Sequence, residues 1–342
     1  MTKAKKRRIL GREAAPLVPQ LIQLTGIARL AAEGGRLAEK RRVEYRTLPT
    51  RKWLNRCHSG RVPFDWTINP YRGCEYGCKY CYARYTHEFM ERRELAAFET
   101  EIYAKDWEAA KFRRELRSVK PAQTIAIGTA TDPYQPAERR FERTRRVLEA
   151  LTDTRGISVF VTTKSDLVSR DTGLFAALSK ENDVRITVTV TTLDRELARL
   201  TEPMAPRPDL RLKAVENLAA AGVAVGVMAS PILPVITDSR ENLTSIAEAA
   251  KAAGAVYFAA GILFLQPCAQ RVFFPFLAEK FPQHLARYKK SYLEGAYLKG
   301  AYPQRIREMI AEIREQAGIA PRDFGRIPMA APADPQLLLF PA

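Results

Sequence analysis

The chain has 342 residues, of which 46% are hydrophobic and 27% are charged, and its formal net charge is +17. This composition is typical of a folded globular protein and excludes an intrinsically disordered chain. No apolar run reaches the roughly 18 residues of a membrane span. The apolar segment after Lys3–Arg8 is interrupted by Pro16, Pro19 and Gln20, which argues against a signal peptide. We therefore expect a cytoplasmic protein.

The first 52 residues are strongly basic, with fourteen Lys and Arg against four Glu. We interpret residues 1–52 as a basic N-terminal extension that contains a short amphipathic helix over Leu17–Ala32, ended by Gly34-Gly35. A basic arm on a moderately charged domain is typical of proteins that bind polyanions. A flexible tail that only aids solubility would give the same pattern.

From about Asp65 onward, short β-branched apolar runs alternate with amphipathic helical segments. Continuous apolar runs predict parallel strands that are buried on both faces. About six βα units form either a barrel or an open doubly wound sheet, and in both folds the chemistry lies at the carboxyl ends of the strands. The predicted strands are Thr124–Gly128, Ser158–Thr163, Arg185–Thr191, Val223–Ala229 and Ala255–Phe264.

The same pattern sets the predicted domain limits. We predict a barrel over residues 53–285, a helical segment over 286–326 and an extended tail over 327–342. One helix of the barrel is predicted over Ala137–Leu151, with Phe141 and Leu148 on its apolar face and arginines on the other side.

Five cysteines are too few for a disulfide scaffold, and three of them lie within eight residues. Cys74, Cys78 and Cys81 have the spacing Cys-x3-Cys-x2-Cys, whereas a structural zinc site needs four ligands and has only His87 nearby. Three thiolates on a short loop suit a [4Fe–4S] cluster with one iron left open for a small molecule. We therefore prefer the cluster, with a zinc site or purely structural cysteines as the alternatives.

This motif, with Tyr80 before its third cysteine, resembles the signature of the radical S-adenosylmethionine (SAM) superfamily. The resemblance implies an α/β fold, a partial (βα)6 TIM-type barrel, with the cluster loop after the first strand. It also implies that the open iron binds SAM, that the cluster cleaves SAM to a 5′-deoxyadenosyl radical, and that an electron donor such as flavodoxin or ferredoxin reduces the cluster.

More narrowly, residues 65–265 resemble the branch of the superfamily that contains spore photoproduct lyase. Tyr80 and Tyr82 match its paired tyrosines, Val161–Lys164 resembles its third-strand motif, and Glu202 and Arg211 resemble parts of its fourth helix. Two further segments, Asn69–Cys74 and Gly128–Pro136, resemble a group of bacterial radical SAM proteins without an assigned substrate.

The resemblance also implies where SAM binds. Thr131 and Asp132 follow the second strand, where this superfamily binds the SAM amino group, and the Lys164 ammonium would approach its carboxylate. Asp132 before Pro133 would equally serve as a helix cap or Asx-turn, and Lys164 as a surface lysine. The full set of predicted cofactor-binding residues is Tyr80, Tyr82, Thr129, Thr131, Asp132, Lys164, Thr189 and Thr191.

The sequence departs from the lyase at one important point. The lyase has a cysteine after its second strand that returns a hydrogen atom to the product radical, and this chain has Thr129 there. A threonine hydroxyl lacks thiol redox chemistry. Cys57, Cys268 and Tyr134 are the candidate catalytic replacements, although a lone cysteine is usually a packing residue.

The C-terminal tail ends in Gln336-Leu337-Leu338-Leu339-Phe340 after a Pro/Ala-rich stretch. This segment resembles the Gln-Leu-x-Leu-Phe motif by which bacterial repair proteins bind the sliding clamp. A tail that folds back onto its own domain is the alternative.

Together these features predict a radical SAM enzyme that acts on DNA, in a lyase-type repair or base-modification reaction. One alternative is a radical SAM enzyme that modifies RNA or a peptide. The other is a non-enzymatic metal-binding protein associated with nucleic acid.

Overall fold

The computed structural model describes residues 24–40, 43–58 and 62–322. These residues form two sheets, one of four strands and one of seven. The strands are β1 (Arg36–Lys40), β2 (Val43–Leu48), β3 (Asn55–Arg56), β4 (Trp66–Ile68), β5 (Tyr71–Arg72), β6 (Glu101–Lys105), β7 (Thr124–Ile127), β8 (Ser158–Thr163), β9 (Asp183–Thr189), β10 (Ala224–Ile232) and β11 (Tyr257–Ile262).

Helices connect these strands and pack against the two sheets. They are α1 (Gly26–Glu33), α2 (Tyr85–Glu88), α3 (Ala97–Thr100), α4 (Ala109–Leu116), α5 (Glu138–Phe141), α6 (Arg143–Leu151), α7 (Thr172–Leu178), α8 (Arg195–Thr201), α9 (Pro208–Ala220), α10 (Arg240–Ala252), α11 (Pro267–Lys280), α12 (Pro282–Ser291) and α13 (Ala301–Ala317). Two 3-10 helices cover Tyr82–Arg84 and Asp166–Asp171.

The seven-stranded sheet has the order β11-β10-β9-β8-β7-β4-β3. Strands β4 and β7 to β11 are parallel, and β3 adds an antiparallel edge beside β4. Six parallel strands, with helical connections along the sheet, form the partial (βα)6 barrel expected for this chain. The α/β fold class is therefore confirmed.

The strands lie close to their predicted positions because their side chains are buried on both faces of the sheet. β8 covers the predicted Ser158–Thr163, and β7 ends one residue before the predicted Gly128. In β9, Ile186 and Val188 are fully buried on one face, and Thr187 and Thr189 on the other face are at most 2% exposed. Burial on both faces explains the continuous apolar runs of β7 and β8, whereas β9 alternates threonine with isoleucine and valine although both of its faces are buried.

The predicted helix Ala137–Leu151 is two helices, α5 and α6, which are separated at Glu142. Glu142 adopts a left-handed conformation with φ of +52°. The buried carboxylate of Glu138 accepts hydrogen bonds from the backbone N–H groups of Thr144 and Arg145, at 2.9 and 3.0 Å. The carboxylate thereby satisfies the free donors at the start of α6, which makes the break stable.

The four-stranded sheet was not predicted, and it has the order β1-β2-β6-β5. β2 is parallel to β6, and β6 is antiparallel to β5, which leads directly into the cysteine loop. Residues 43–48 of the predicted N-terminal extension are therefore part of a sheet that supports this loop.

No helix in the described ranges has the length and apolar character needed to span a bilayer.

Candidate active site

The cysteine loop follows β5 at the carboxyl end of β4. Its first turn depends on Gly73, which has a φ of +82°. A Cβ atom at this position would lie 2.8 Å from the Glu101 carbonyl oxygen and 2.9 Å from that of Phe98. Only glycine fits such a close backbone approach, and Cys74 N–H then donates a hydrogen bond to the Phe98 carbonyl at 2.9 Å. The smaller sheet and the α3 region thus fix where the loop begins.

The three loop cysteines are free thiols that line one cavity of about 470 Å³. Burial raises the pKa of each thiol, that of Cys78 to about 12. A buried thiol binds metal as a thiolate, so metal binding at this loop must release these protons. In the described ranges, no three His, Cys, Asp or Glu side chains are gathered closely enough to hold a single ion.

His87, the candidate fourth zinc ligand, lies outside this cavity. Its ring is buried against Phe98, and its Nε2 atom is paired with the Glu101 carbonyl oxygen at 2.9 Å. Burial lowers the pKa of His87 to about 4, so the ring is neutral at physiological pH. These contacts give His87 a structural role beneath Gly73.

A buried ion pair lies behind the second half of the loop. Tyr80 donates a hydrogen bond to Glu202, and Arg211 lies 2.5 Å from the same carboxylate. Burial alone would raise the pKa of Glu202, but the positive charges of Arg211 and Lys164 outweigh this effect and lower it. Glu202 is therefore ionised, and it holds Tyr80 and the loop against the segment before α9.

Lys164 extends from the end of β8 into the cavity, with its Nζ atom 5.7 Å from the centre of the Tyr80 ring. Burial alone would lower the pKa of Lys164. The nearby charges of Glu202 and Cys78 outweigh this effect, and the net result is a raised pKa. The side chain is thus a cation within the cavity and not the solvated surface lysine of the alternative interpretation.

Asp132 also lines the cavity, and its carboxylate joins two strand ends. It accepts hydrogen bonds from the Thr163 hydroxyl and the Lys164 N–H, both at 2.6 Å, and from the Tyr134 N–H at 2.9 Å. The last of these bonds is the Asx-turn that the sequence allowed. These contacts fix the geometry between β7 and β8, and binding of the SAM amino group by Asp132 stays a prediction.

Threonine and tyrosine side chains complete this end of the barrel. Thr131 donates a hydrogen bond to the Gly73 carbonyl at 2.6 Å, and Tyr82 donates one to the Thr129 carbonyl. Thr189 lines the cavity at the end of β9. Thr191 instead donates to Glu202 at 3.1 Å and is not among the cavity-lining residues.

The structure does not bring the three candidate hydrogen-atom donors into the cavity. The backbone N–H of Cys57 donates a hydrogen bond to the Asp65 carbonyl at 2.8 Å, beside the start of β4. Cys57 therefore lies at the end of the barrel opposite to the cysteine loop. Tyr134 is fully buried and donates its hydroxyl to Asp171 at 3.1 Å. Cys268 lies behind the loop on α11, with its sulfur 3.5 Å from the Tyr82 carbonyl oxygen.

Sequence reasoning missed the contribution of α13 to the cavity. Ile306, Arg307, Ile310 and Arg314 of this helix line the cavity together with Arg322. Their signal in the sequence was the helical spacing of basic and apolar residues, which is also the ordinary pattern of an amphipathic surface helix.

Comparisons with known proteins agree with this architecture. Residues 68–246 match the Radical SAM superfamily. The chain is 36% identical over 259 residues, 75% of each chain, to a protein of Mycobacterium tuberculosis whose name is "uncharacterized". It is 28% identical over 173 residues to a protein of Methanocaldococcus jannaschii, also named "uncharacterized", with 51% of this chain and 62% of the relative covered.

Among solved structures, the fold is similar to that of a spore photoproduct lyase mutant with bound AdoMet and dinucleoside spore photoproduct. The TM-score is 0.61 at 15% sequence identity, and the similarity covers 80% of this chain and 79% of the lyase.

The partial barrel with a three-cysteine loop at the carboxyl end of its first parallel strand defines a class of iron–sulfur enzyme. This chain belongs to the radical SAM superfamily. Its cofactors are accordingly a [4Fe–4S] cluster and SAM, as implied by the family. Three free thiols on one loop, facing a cavity that is also lined by the cation of Lys164, fit this cofactor pair.

Proposed function

We propose that this radical SAM enzyme acts on DNA, abstracting a hydrogen atom from a base or its sugar in a repair or modification reaction. The observation that carries the proposal is the charge of the cavity. Its lining contains four cationic side chains, Lys164, Arg307, Arg314 and Arg322, and one carboxylate, Asp132. A cavity with this excess of positive charge attracts an anionic substrate, and the +17 net charge of the chain acts in the same direction.

In this proposal Cys74, Cys78 and Cys81 hold the cluster, and Lys164, Asp132 and the threonines at the strand ends bind SAM. When bound, these cofactors supply a 5′-deoxyadenosyl radical that takes a hydrogen atom from the substrate. The chain itself holds the loop rigid through Gly73 and Glu202, and it encloses the reaction within apolar walls such as Ile127 and Phe160. A target base has to leave its stack to enter this cavity.

The proposed DNA substrate has more support than a reaction in which a cysteine returns the hydrogen atom, as in the lyase. In the described part of the chain, the cavity is lined by no cysteine other than the three of the loop. A product radical formed there has no nearby thiol of the barrel to return a hydrogen atom. We therefore favour return of the hydrogen atom by 5′-deoxyadenosine, or a base modification that consumes SAM.

The test is the transfer of label between SAM and DNA. Anaerobically reconstituted protein is reduced and given SAM deuterated at the 5′ carbon, together with ultraviolet-irradiated, alkylated or undamaged DNA. If 5′-deoxyadenosine returns the hydrogen atom, we expect deuterium in one DNA product and loss of deuterium from SAM. If SAM is consumed, we expect 5′-deoxyadenosine whose formation depends on one of the DNA samples. The Cys78→Ala variant should show none of these changes. Exchange of label with RNA or a peptide, and with none of the DNA samples, would favour the alternative of a radical SAM enzyme that modifies RNA or a peptide. Absence of both label exchange and 5′-deoxyadenosine in every sample would contradict enzymatic activity.

Two partners form part of the proposal. The segment Gln336–Phe340 lies outside the described residues, and its sequence supports docking to the bacterial sliding clamp through Leu339 and Phe340. A pull-down with purified clamp, with Phe340→Ala as the control, tests this interaction, and equal capture of both proteins would contradict it. The second partner is a flavodoxin or ferredoxin as electron donor, tested by replacing the chemical reductant with each reduced protein.

A further inference from the structure

Helix α13 lies along the free edge of the barrel beside β11. At its start, Tyr302 donates a hydrogen bond to Asp238 in the loop after β10, at 2.8 Å. After its end, Ala320 pairs with Tyr257 at the start of β11. The helix therefore runs from the carboxyl to the amino end of the strands, and it presents Arg307 and Arg314 to the cavity.

Arg314 is a partly buried cation for which the described residues supply no counter-charge. Burial lowers its pKa, and no neighbouring carboxylate offsets this effect. Within residues 24–40, 43–58 and 62–322, the structure gives neither Arg314 nor Arg307 a side-chain hydrogen bond or ion pair. Other arginines on the same part of the molecule are paired, for example Arg240 with Glu312 on α13. An arginine that loses water without gaining a partner destabilises the protein unless a ligand supplies the opposite charge.

The spacing of the two arginines fits one strand of nucleic acid. They are seven residues apart, which places them on the same side of α13 and about 10.5 Å apart along its axis. A nucleic-acid strand carries one phosphate for about every 3.4 Å of helix axis, so the two guanidinium groups would contact different phosphates. Beside them on α13, Ile306 and Ile310 add apolar surface to the cavity lining, and Phe64 lines the same cavity. This apolar surface suits the flat face of a base.

We propose that Arg307 and Arg314 form a phosphodiester-binding subsite at the open edge of the barrel. The subsite holds the substrate strand along α13 while one base enters the cavity toward the cysteine loop. This inference rests on the proposed action on DNA, and it assigns two residues that the radical chemistry itself does not require. Both are positioning residues, because they would bind the strand and not the reacting atoms.

The test is the salt dependence of DNA binding by the full chain. Fluorescence anisotropy with a labelled single strand of about 15 nucleotides gives the Kd at several salt concentrations. The variants are Arg307→Gln, Arg314→Gln and their combination. The matched control is Arg305→Gln, which removes the same charge from an exposed position on α13 that does not line the cavity.

We expect each of the two substitutions to weaken binding about 5- to 10-fold and to reduce the slope of log Kd against log salt by about one. Arg305→Gln should change the Kd by less than about twofold. Iron content and circular dichroism of each variant establish that it is folded and reconstituted. A loss of affinity with an unchanged salt slope would overturn the subsite, because phosphate contacts release counterions.

Other outcomes separate this inference from the proposed function. If wild-type protein binds DNA in a salt-dependent way and the two variants match it, the subsite is wrong and the DNA proposal stands. If wild-type protein shows no salt-dependent binding of DNA, both are wrong. If a polyglutamate peptide competes for the labelled strand and its binding depends on both arginines while binding of DNA does not, the subsite belongs to a peptide substrate and our assignment is overturned.

Discussion

The Glu202 carboxylate lies 2.5 Å from the Arg211 guanidinium, and neither side chain is more than 1% exposed. The same carboxylate accepts the Tyr80 hydroxyl and, at 3.1 Å, the hydroxyl of Thr191. Arg211 also donates to the Thr189 carbonyl at 3.1 Å. One ion pair therefore ties the cysteine loop, the end of β9 and the start of α9 to each other.

Removal of one partner should be costly. We expect Arg211→Met to lower the free energy of unfolding by about 3–5 kcal/mol, because Glu202 would keep a buried charge without its partner. Urea denaturation of the wild type and the variant measures the loss. The matched control is Arg207→Met at the residue before the same helix, whose pair with Asp209 is solvent-exposed. The control should lose less than about 1 kcal/mol, and equal losses would contradict a special role for the buried pair.

Substitution of the loop cysteines should abolish cluster binding. We expect Cys74→Ala, Cys78→Ala and Cys81→Ala to contain little iron and sulfide after anaerobic reconstitution, because each thiolate would bind a different iron. Cys57→Ala should retain both, since this residue lies at the opposite end of the barrel. Iron and sulfide analysis with visible spectroscopy measures the difference. Normal iron content in the Cys78→Ala protein would disprove the assignment.

Lys105 should make stability depend on pH. Burial, together with the nearby charge of Arg72, lowers the pKa of Lys105 to about 7, although Glu115 and Asp106 act in the opposite direction. An unfolded lysine titrates near pH 10.4, so between about pH 7 and pH 10 the unfolded chain binds more protons than the folded one. The free energy of unfolding should therefore rise with pH in this window.

Comparison with Lys105→Met isolates this contribution. The stability of the wild type relative to the variant should increase from pH 7 to pH 10 by up to a few kcal/mol, measured by urea denaturation at each pH. A constant difference across the window would mean that Lys105 is charged in the folded protein. The side chain lies 5.2 Å above the Trp53 ring, and Lys105 is 4% exposed.

Gly128 should tolerate no side chain. It follows β7 with a φ of +91°, and a Cβ there would lie 2.6 Å from Pro133 Cδ and 2.7 Å from the Thr162 carbonyl oxygen. Gly222, with a φ of +75°, has no atom within 4 Å of the same position. We expect Gly222→Ala to cost about 1–2 kcal/mol from backbone strain alone. Gly128→Ala should cost clearly more, and similar melting temperatures for the two variants would refute the clash.

The regular parts of the barrel were predictable from the sequence because burial on both faces leaves a continuous apolar run. β8 matches its prediction at both ends. The three cysteines could be singled out from the sequence because their spacing is itself the chemical signal, and all three line the same cavity. The loop therefore needed no three-dimensional information to be found.

Features that depend on tertiary contacts were not predictable. The break at Glu142 arises because the Glu138 carboxylate, seven positions before Arg145, caps the second helix. The sequence could not show that Cys57 lies beside the start of β4, since proximity along the chain gives no information about which end of a barrel a residue occupies. Arg314 resembled any surface arginine until its position beside the cavity was known.

The sheet that joins β2, β6 and β5 has a practical consequence for dissecting this enzyme. Val43–Leu48 pairs with Glu101–Lys105, which in turn pairs with the two residues that lead into Gly73. A minimal catalytic fragment that starts at residue 53 would lack an internal strand of this sheet and expose the edge of β6. Such a fragment would be prone to aggregation before any iron could be loaded. Shortened versions of the protein should therefore begin upstream of residue 43.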